Sequence, residues 1–329
     1  MAAATRFVMN NLNLSAAFDG KEQVSSLSCP VSGGKKITMD QQAKRKRMEQ
    51  WLFLAVCIGL NATGQTVPPG AAALGYTNCV INDTPTVSEI APANTGNYNW
   101  FSGRCWVPSN QIPSLTNYST VSNALTLNFT GAHLDLDSMP RDCSTGALPM
   151  LAGSNGFYAE FDIRLSDNNS DHWAAVWLEP MEAANLTDWY SPDPAGFHRW
   201  MEFDLQESGW DTGLAGTVHA WTGFITNQTS IYNSNNCPPA VFDMSQKHTF
   251  GGSYDPIHQQ VAWWVDGVQQ MTAGSPDVPA VAVQQHFYLI LSTWSHGLNV
   301  PYSMYVTGVR AYVPSLRPSQ PTNLKIVAP

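Results

Sequence analysis

The sequence predicts an all-β protein built as a two-sheet antiparallel sandwich. Glycine, proline and tryptophan are abundant, with 24, 22 and 12 copies. Short β-type runs separated by turn residues take the place of the long amphipathic patterns that helices need. Hydrophobic residues make up 43% of the chain and charged residues 12%, so the chain can bury a core. The stretch over residues 75–313 has a length that all-β sandwiches reach as one domain.

The predicted strands follow one another along this stretch. Residues 124–131, "ALTLNFTG", alternate apolar and polar side chains, as a half-buried strand does. Residues 156–167 and 173–180 are predicted to be neighbouring strands joined by the polar turn "NNSD". The dipeptide Asp266-Gly267 is a strong hairpin signal. Two late strands are predicted over residues 286–294 and 302–313.

The first 64 residues have the features of an export leader. A basic cluster at residues 44–47, an apolar run at 51–60 and the small residues Ala62 and Gly64 predict a signal peptide over residues 39–64, with cleavage near Gln65. The apolar run is shorter than the roughly 20 residues that a membrane span needs. A lipoprotein anchor at Cys57 is the alternative, and the bulky Val56 disfavours it. Residues 1–38 are expected to be untranslated or a leader extension, with initiation at Met39.

The charge of the remaining chain limits its partners. Residues 65–329 carry 8 basic and 21 acidic residues, a formal charge of −13. Nucleic acids and sulfated polymers are therefore poor partners. We expect a secreted monomer, extracellular, periplasmic or associated with a cell wall, with a sandwich domain over residues 65–315 and a Pro-rich tail over 316–329.

Four cysteines follow the predicted leader. Cys79, Cys105, Cys143 and Cys237 are an even number, compatible with two disulfides outside the cell. Three pairings are possible and the sequence does not choose among them. No CxxC spacing suggests a metal site.

The stretch "HRWMEFDLQESGW", residues 198–210, gathers three acidic side chains on one predicted strand. Alternation places Met201, Phe203 and Leu205 on an apolar face that suits a core. The opposite face carries His198, Trp200, Glu202 and Asp204. This combination of aromatic, imidazole and carboxylate groups suits an open cleft.

Glu207 breaks the alternation, because strict period two would send it into the core. A buried unpaired carboxylate is costly. One extra residue, a β-bulge around Leu205 and Gln206, would return Glu207 to the polar face. The sequence therefore predicts a bulged strand with three carboxylates on one face.

Two such carboxylates can cut glycosidic bonds. Glu202 and Glu207 could approach to the roughly 5–5.5 Å that retaining glycosidases use, and the charge of Asp204 would help keep one of them protonated. A solvated acidic edge strand and a cation-binding cluster are the alternatives. The neighbouring tryptophans favour a sugar site, because pyranose rings pack on aromatic rings.

The segment "MEFDLQE" resembles the Glu-x-Asp-x-x-Glu signature of glycoside hydrolase family 16, the laminarinase-like β-glucanases, in its bulged form. Other segments resemble the successive strands of that family in the same order. They are "GFYAEFDIRL", "HWAAVWLEP", "GTVHAW", "YDPIHQQVAWWVDGV", "FYLILSTW" and "MYVTGVRAY".

The resemblance implies a concanavalin A-like jelly roll with an open cleft and retaining hydrolysis of internal β-glycosidic bonds. By position, Glu202 would be the nucleophile, Asp204 the residue that tunes it and Glu207 the general acid/base. His219 matches a family histidine that would orient these carboxylates. No cofactor is required for this chemistry.

The resemblance also implies sugar-binding aromatic residues. Trp173 and Trp177 lie four residues apart on a strand and share a face, and the family uses aromatic residues from this segment in its sugar subsites. Trp200 and Trp221 are assigned the same role. For all four residues, packing in the core is the alternative.

Two positions depart from the family pattern. Ser292 stands where the family often has an asparagine, so a substrate contact is expected to be weaker or different. Thr307 stands where many members have an aspartate that helps to bind a structural calcium. A hydroxyl is a poor replacement for a carboxylate ligand, which argues against calcium without excluding it.

These observations predict a secreted retaining endo-β-glycanase that acts on a neutral polysaccharide, with β-1,3- or mixed β-1,3/1,4-glucan as the leading substrate. Agarose, xyloglucan and transglycosylation remain alternatives within the family, and carrageenan is disfavoured by its sulfates. A non-catalytic β-glucan-binding module is the alternative from another class, although such modules typically lose the catalytic glutamates. A structural cell-wall protein ranks lower, because it gives no reason for three clustered carboxylates.

Overall fold

The computed structural model describes residues 66–105, 107, 111–209, 214–224, 227–237 and 243–315. The predicted leader over residues 1–64 and the predicted tail over 316–329 lie outside these residues. Within the described part of the chain, no helix has the length and apolarity required to cross a membrane.

Strands dominate the described residues, together with two short α-helices and several single 3₁₀ turns. The elements are α1 (Pro69–Ala73), β1 (Asn78–Asp83), β2 (Phe101–Ser102), β3 (Tyr118–Val121), β4 (Ala124–Phe129), β5 (Leu134–Asp137), β6 (Leu151–Ala152), β7 (Phe157–Leu165), β8 (His172–Pro180), α2 (Met181–Ala184), β9 (Phe197–Glu207), β10 (Leu214–Phe224), β11 (Thr229–Cys237), β12 (His248–Asp255), β13 (Gln260–Val265), β14 (Val268–Ala273), β15 (His286–Ser295) and β16 (Tyr302–Val313).

The strands form two antiparallel sheets, which confirms the predicted fold class. The first, called the back sheet, has the order β14-β13-β12-β7-β16-β4-β3, with β1 beside β16. The second, called the site sheet, has the order β11-β10-β9-β8-β15-β5-β2, with β6 beside β15. The expectation that β7 and β8 are neighbours is wrong, because the turn between them crosses from one sheet to the other: β7 pairs with β12 and β16, and β8 with β9 and β15. Asp266-Gly267 closes the β13–β14 hairpin, as the sequence predicts, and both residues have positive φ.

The core lies between the two sheets and is built by period-two alternation. On β9, Met201, Phe203 and Leu205 are at most 1% exposed and belong to one apolar cluster with residues of the back sheet. Trp263 of β13 packs edge-on against Phe203, with ring centroids 5.1 Å apart, and its Nε1 donates to the Asp204 carbonyl at 2.7 Å. Full burial of each such side chain contributes about 1.5–3 kcal/mol. The other face of the site sheet, called the site face, turns away from this core.

The predicted β-bulge is present in β9. Asp204 pairs with Trp177 of β8 and Thr217 of β10, whereas the next pairs are Gln206 with Val176 and Glu207 with Ala215. Relative to both neighbours, β9 therefore carries one extra residue, and Leu205 and Gln206 are both buried. The bulge shifts the phase of the strand, so that Glu207 returns to the site face.

Gly216 of β10 faces this bulge from the core side. A Cβ at that position would clash with the ring of Trp263 and with Met271. The glycine thus allows the indole to approach the bulged part of β9 and to donate its hydrogen bond to Asp204. A core contact from the back sheet in this way fixes the backbone that carries the three carboxylates.

Candidate active site

The three predicted carboxylates share the site face of β9, between β8 and β10. Asp204 is buried, with 3% exposure, whereas Glu202 and Glu207 are partly exposed on either side of it along the strand. Alternation places Glu202 and Asp204 on this face, and the bulge adds Glu207. The structure thus brings together the acidic residues that the sequence singles out.

Each glutamate is held by an indole from a neighbouring strand. Trp221 of β10 donates from Nε1 to Glu202 Oε2 at 2.8 Å, and Trp173 of β8 donates from Nε1 to Glu207 Oε1 at 3.1 Å. Thr217 adds a hydroxyl donor to Glu207 Oε2 at 3.2 Å. These contacts fix the orientation of both carboxyl groups. The sequence predicted Trp173 and Trp221 near the site as sugar platforms and did not predict that they, or Thr217, act as donors.

The surroundings of the site raise the pKa values of Asp204 and Glu207. Burial, reinforced by the charges of Glu202 and Glu207, raises the pKa of Asp204 well above its usual range. Burial and the charge of Glu202 also raise the pKa of Glu207, against the opposing hydrogen bond from Trp173. Glu207 is therefore suited to carry a proton toward neutral pH, as a general acid must.

His219 supplies the positive charge of the site. It lies directly opposite Glu202 across the β9–β10 pair, and its Nε2 is 3.5 Å from Asp204 Oδ2. Burial would lower the pKa of His219, but the charges of Glu202, Asp204 and Glu207 raise it to about 9. The imidazole is therefore protonated at neutral pH and orients the carboxyl groups beside it.

The same residues form the one group, among the described residues, whose ligand atoms could surround a metal ion. Atoms of Glu202, Asp204 and His219 lie within 4.8 Å of one another. A protonated imidazole offers no lone pair to a metal at neutral pH, and the raised pKa of Asp204 weakens that residue as a ligand. The donor set therefore fits a cation poorly, and the absence of a metal from the reaction stays a prediction.

Aromatic rings extend the site on the β10 side. Trp200 stacks on Trp221 with centroids 5.4 Å apart and planes 16° apart, and Trp221 stacks on His219 at 5.5 Å. All three rings are partly exposed. They form an open aromatic surface beside Glu202, and the predicted sugar-binding role of Trp200 and Trp221 stays a prediction.

On the β8 side, Trp173 belongs to a row of stacked rings that the sequence analysis missed. Trp294 of β15 lies 5.2 Å from Trp173 and nearly parallel to it, and His296 lies 4.9 Å from Trp173. His133 stacks in turn on Trp294 at 4.5 Å. The row orients the indole that donates to Glu207. Trp173 and Trp294 are direct partners on the paired strands β8 and β15. This pairing could have predicted the row of rings, but only if the order of the strands in the sheet were known.

Trp177 does not offer an open ring. It is 6% exposed, with the Arg104 guanidinium 4.4 Å above its ring. Its Nε1 donates to Ser292 Oγ at 2.9 Å, and the Ser292 hydroxyl donates to Asp135 Oδ1 at 2.6 Å. The burial leaves the predicted sugar contact of Trp177 without support. Ser292 is the first of the two positions that depart from the family pattern, and its hydroxyl is engaged in hydrogen bonds with Trp177 and Asp135.

His198 also differs from its expected place in an open cleft. It is buried, and its Nδ1 lies within hydrogen-bond distance of the buried carboxylate of Asp188, from the segment between α2 and β9. This segment covers one end of the site face. The alternation of β9 correctly predicted the face on which His198 lies, but it could not show that this end of the face is covered.

Thr307, the second departure, is the extra residue of a bulge in β16. Its hydroxyl donates to the Asp162 carbonyl at 3.4 Å. The nearby Asp162 carboxylate accepts two hydrogen bonds from Arg310, which also pairs with Glu160. Positive charge at this place in the back sheet comes from the Arg310 guanidinium and from the Lys247 ammonium, 3.7 Å from Asp162 Oδ2. A structural calcium remains an untested expectation.

No protein-family model and no curated protein matches the chain. Among solved structures, the chain is similar to a family 16 endo-glucanase from Bacteroides ovatus, with a TM-score of 0.49 and 14% identity over 70% of this chain and 99% of that one. It is similar to a laminarinase from Flavobacterium sp. (TM-score 0.48, 11% identity, 71% and 100% covered) and to an endo-β-1,3-glucanase from Pyrococcus furiosus (0.42, 18%, 61% and 79%). At these identities and scores, function has to be argued from the residues of the site itself.

Proposed function

We propose that this protein is a secreted retaining endo-β-glycanase that cuts internal bonds of a neutral polysaccharide, β-1,3-glucan or mixed β-1,3/1,4-glucan. One observation carries the proposal: Glu202 and Glu207 lie on the same face of β9, on either side of a buried carboxyl group. Each is oriented by an indole N–H from a different neighbouring strand. A solvated acidic edge has no need of such fixed geometry.

The arrangement supports a two-step displacement. Glu202 attacks the anomeric carbon while protonated Glu207 gives its proton to the departing glycosidic oxygen. Glu207, now ionised, then takes a proton from the water that releases the sugar from Glu202. General acid/base assistance of this kind typically contributes about 10²–10⁴-fold in rate.

Asp204 and His219 control the charge of the pair. Burial raises the pKa of Asp204, so this group takes up a proton more readily than a free carboxylate and, when protonated, limits repulsion within the trio of carboxyl groups. The protonated imidazole of His219 lies opposite Glu202 and within 3.5 Å of Asp204, so it offsets the negative charge of the site. Both residues act on the reacting glutamates through charge and orientation.

The substrate class is supported by charge and by the open aromatic surface. A formal charge of −13 over residues 65–329 disfavours sulfated chains. The partly exposed rings of Trp200 and Trp221 can pack against flat C–H faces of neutral sugars. Agarose and xyloglucan are also uncharged, so the choice among neutral polymers falls to experiment.

The test is reducing-sugar release by the full chain from laminarin, barley mixed-linkage glucan, agarose and xyloglucan. We expect release from laminarin or barley glucan, with a loss of at least about 10⁴-fold in Glu202→Gln, because that variant lacks the nucleophile. Glu182→Gln is the matched control, since Glu182 on α2 contacts His286 and none of the three carboxylates.

Product stereochemistry separates the remaining outcomes. Proton NMR of the first products should show the β-anomer, as retention requires. Initial α-anomer would exclude the retaining mechanism. Binding to insoluble glucan without release from any polymer would identify the chain as a binding module and overturn the proposal.

A further inference from the structure

Two cysteine thiols lie against the same backbone carbonyl on the site face. Cys105 Sγ is 3.2 Å from the Ala184 carbonyl oxygen, and Cys143 Sγ is 3.7 Å from the same atom. Each thiol also shifts the pKa of the other, raising that of Cys105 and lowering that of Cys143, as neighbouring groups do. Cys105 follows β2, Cys143 lies between β5 and β6, and Ala184 ends α2, so three separate segments meet at this point.

The pair packs beside a small apolar cluster that covers part of the site sheet. Its buried members include Trp177, Tyr288 and Ile290, with the two cysteines half-buried at its edge. The adjacent Arg104 covers the ring of Trp177. The thiols therefore lie where three segments close over the site face next to β9.

Cys79 is placed elsewhere. It belongs to β1 of the back sheet, and its thiol contacts the Ile81 carbonyl at 3.1 Å. Its environment includes Tyr312, Arg310 and Glu160, which lie on the opposite sheet from Cys105 and Cys143. Cys105 and Cys143, by contrast, share the Ala184 carbonyl.

We propose that Cys105 and Cys143 are joined by a disulfide bond when the protein is in an oxidising environment. Both S–H bonds are lost, an S–S bond forms, and two protons and two electrons leave. A disulfide oxidant, such as oxidised glutathione, takes the electrons and becomes two thiols. The thiols in the structure are the reduced form of this pair. The inference does not depend on the proposed catalytic activity.

The bond would close a loop of about 38 residues and fasten the segment that carries Arg104 over Trp177. A cross-link of this length removes conformational entropy from the unfolded chain and is expected to stabilise the fold. The disulfide would stabilise the side of the site sheet on which Trp177 is covered. The aromatic surface at Trp200 would not change.

Tryptic peptides distinguish a Cys105–Cys143 bond from a bond of either residue to any other cysteine. Cleavage after Arg104, Arg141 and Arg164 puts Cys105 on peptide 105–141 and Cys143 on peptide 142–164. Cys79 falls on peptide 48–104, together with Cys57, and Cys237 falls on peptide 200–247. The full chain is equilibrated with oxidised glutathione, alkylated in denaturant, digested without reduction and analysed by mass spectrometry.

We expect peptides 105–141 and 142–164 to be recovered as a linked pair that reduction separates. Full alkylation of Cys105 and Cys143 after oxidation would overturn the proposal, and so would a link from either of them to Cys79 or Cys237.

Unfolding provides a second readout. Reduction should lower the urea midpoint of the oxidised protein by about 1 M. Reduction should have no such effect on Cys143→Ser, whereas Cys79→Ser should respond as the unmodified protein does. An equal response of Cys143→Ser and the unmodified protein would show that the stabilising bond lies elsewhere.

Discussion

On the site face, the strands on both sides of β9 carry aromatic residues, but these two flanks differ in how much of that aromatic surface is exposed to solvent. On the β10 side, Trp200, Trp221 and His219 are partly exposed and stacked beside Glu202. On the β8 and β15 side, Trp173 and Trp294 beside Glu207 are also partly exposed, but Trp177 and Tyr288 farther along the same strands are buried. Period-two alternation assigns a side chain to a face but does not say whether that face is open.

The closed flank is covered by residues that are distant in sequence. Arg104 lies over Trp177 and forms two contacts with Asp135, from Nε at 2.9 Å and from Nη2 at 3.2 Å. Burial raises the pKa of Glu179 to about 8, and the Tyr288 hydroxyl donates to that residue at 2.8 Å. The open flank is therefore equipped for ligand contact, and the closed flank is a buried polar network that holds the sheet. Four changes test this division.

The largest effect is expected for Glu207→Gln at the reacting pair. Loss of the general acid should lower kcat/KM on the polysaccharide by about 10³–10⁴-fold, because the leaving oxygen departs without a proton. A dinitrophenyl glycoside substrate, whose leaving group needs no proton, should lose far less in its first step. Glu182→Gln on the closed side is the control. Equal losses on both substrates would contradict the role of Glu207 as an acid.

On the closed flank, Arg104→Ala should affect stability. It removes the guanidinium partner of the buried Asp135 carboxylate, which keeps its contacts with Ser292 and His133. Loss of one partner of a buried ion pair typically costs about 3–5 kcal/mol in the free energy of unfolding, as measured by urea titration. Activity per folded molecule should remain close to normal. Arg164→Ala, which removes a cation stacked on Tyr305 of the back sheet, is the control and should cost about 1 kcal/mol. If Arg104→Ala lost activity and kept its stability, Arg104 would contribute to function and not to the stability of the fold.

The pH dependence of stability should report the closed flank through Glu179. Because burial raises its pKa in the folded state to about 8, Glu179 contributes stability below its unfolded pKa near 4.5, and this contribution is lost as the pH rises toward 8. Glu179→Gln, which stays neutral, should therefore raise Tm by at least about 3 °C at pH 8 and have little effect at pH 4.5. A Tm difference that does not change with pH would show that Glu179 titrates normally.

The smallest effect is expected for Trp173→Phe, which keeps an aromatic ring and removes the N–H donor to Glu207. That hydrogen bond favours the ionised form, so its loss should raise the pKa of Glu207. The basic limb of the pH profile of kcat/KM should move to higher pH, and the maximum should fall about tenfold. In the control Trp189→Phe, the lost N–H donates to the Asp193 carbonyl outside the site. If the basic limb did not move in Trp173→Phe, the hydrogen bond from Trp173 would have no influence on the pKa of Glu207.

The sequence alone determined the strand that carries the site. Alternation assigned Met201, Phe203 and Leu205 to the core, and the cost of burying an unpaired Glu207 required the bulge that the β8–β9 and β9–β10 registers contain. These features depend on neighbours within a few residues of one chain segment. A pattern in the sequence can therefore specify them.

Only the tertiary structure decided which parts of the site face are open and which groups hold the glutamates. Arg104 covers Trp177 from 73 positions away in the sequence, and Asp188 closes the face at His198. Thr217 reaches Glu207 from the next strand. Whether a side chain on the site face meets water, a hydrogen-bond donor or a covering segment depends on which distant parts of the chain pack against it. The local period of a strand contains no information about that packing.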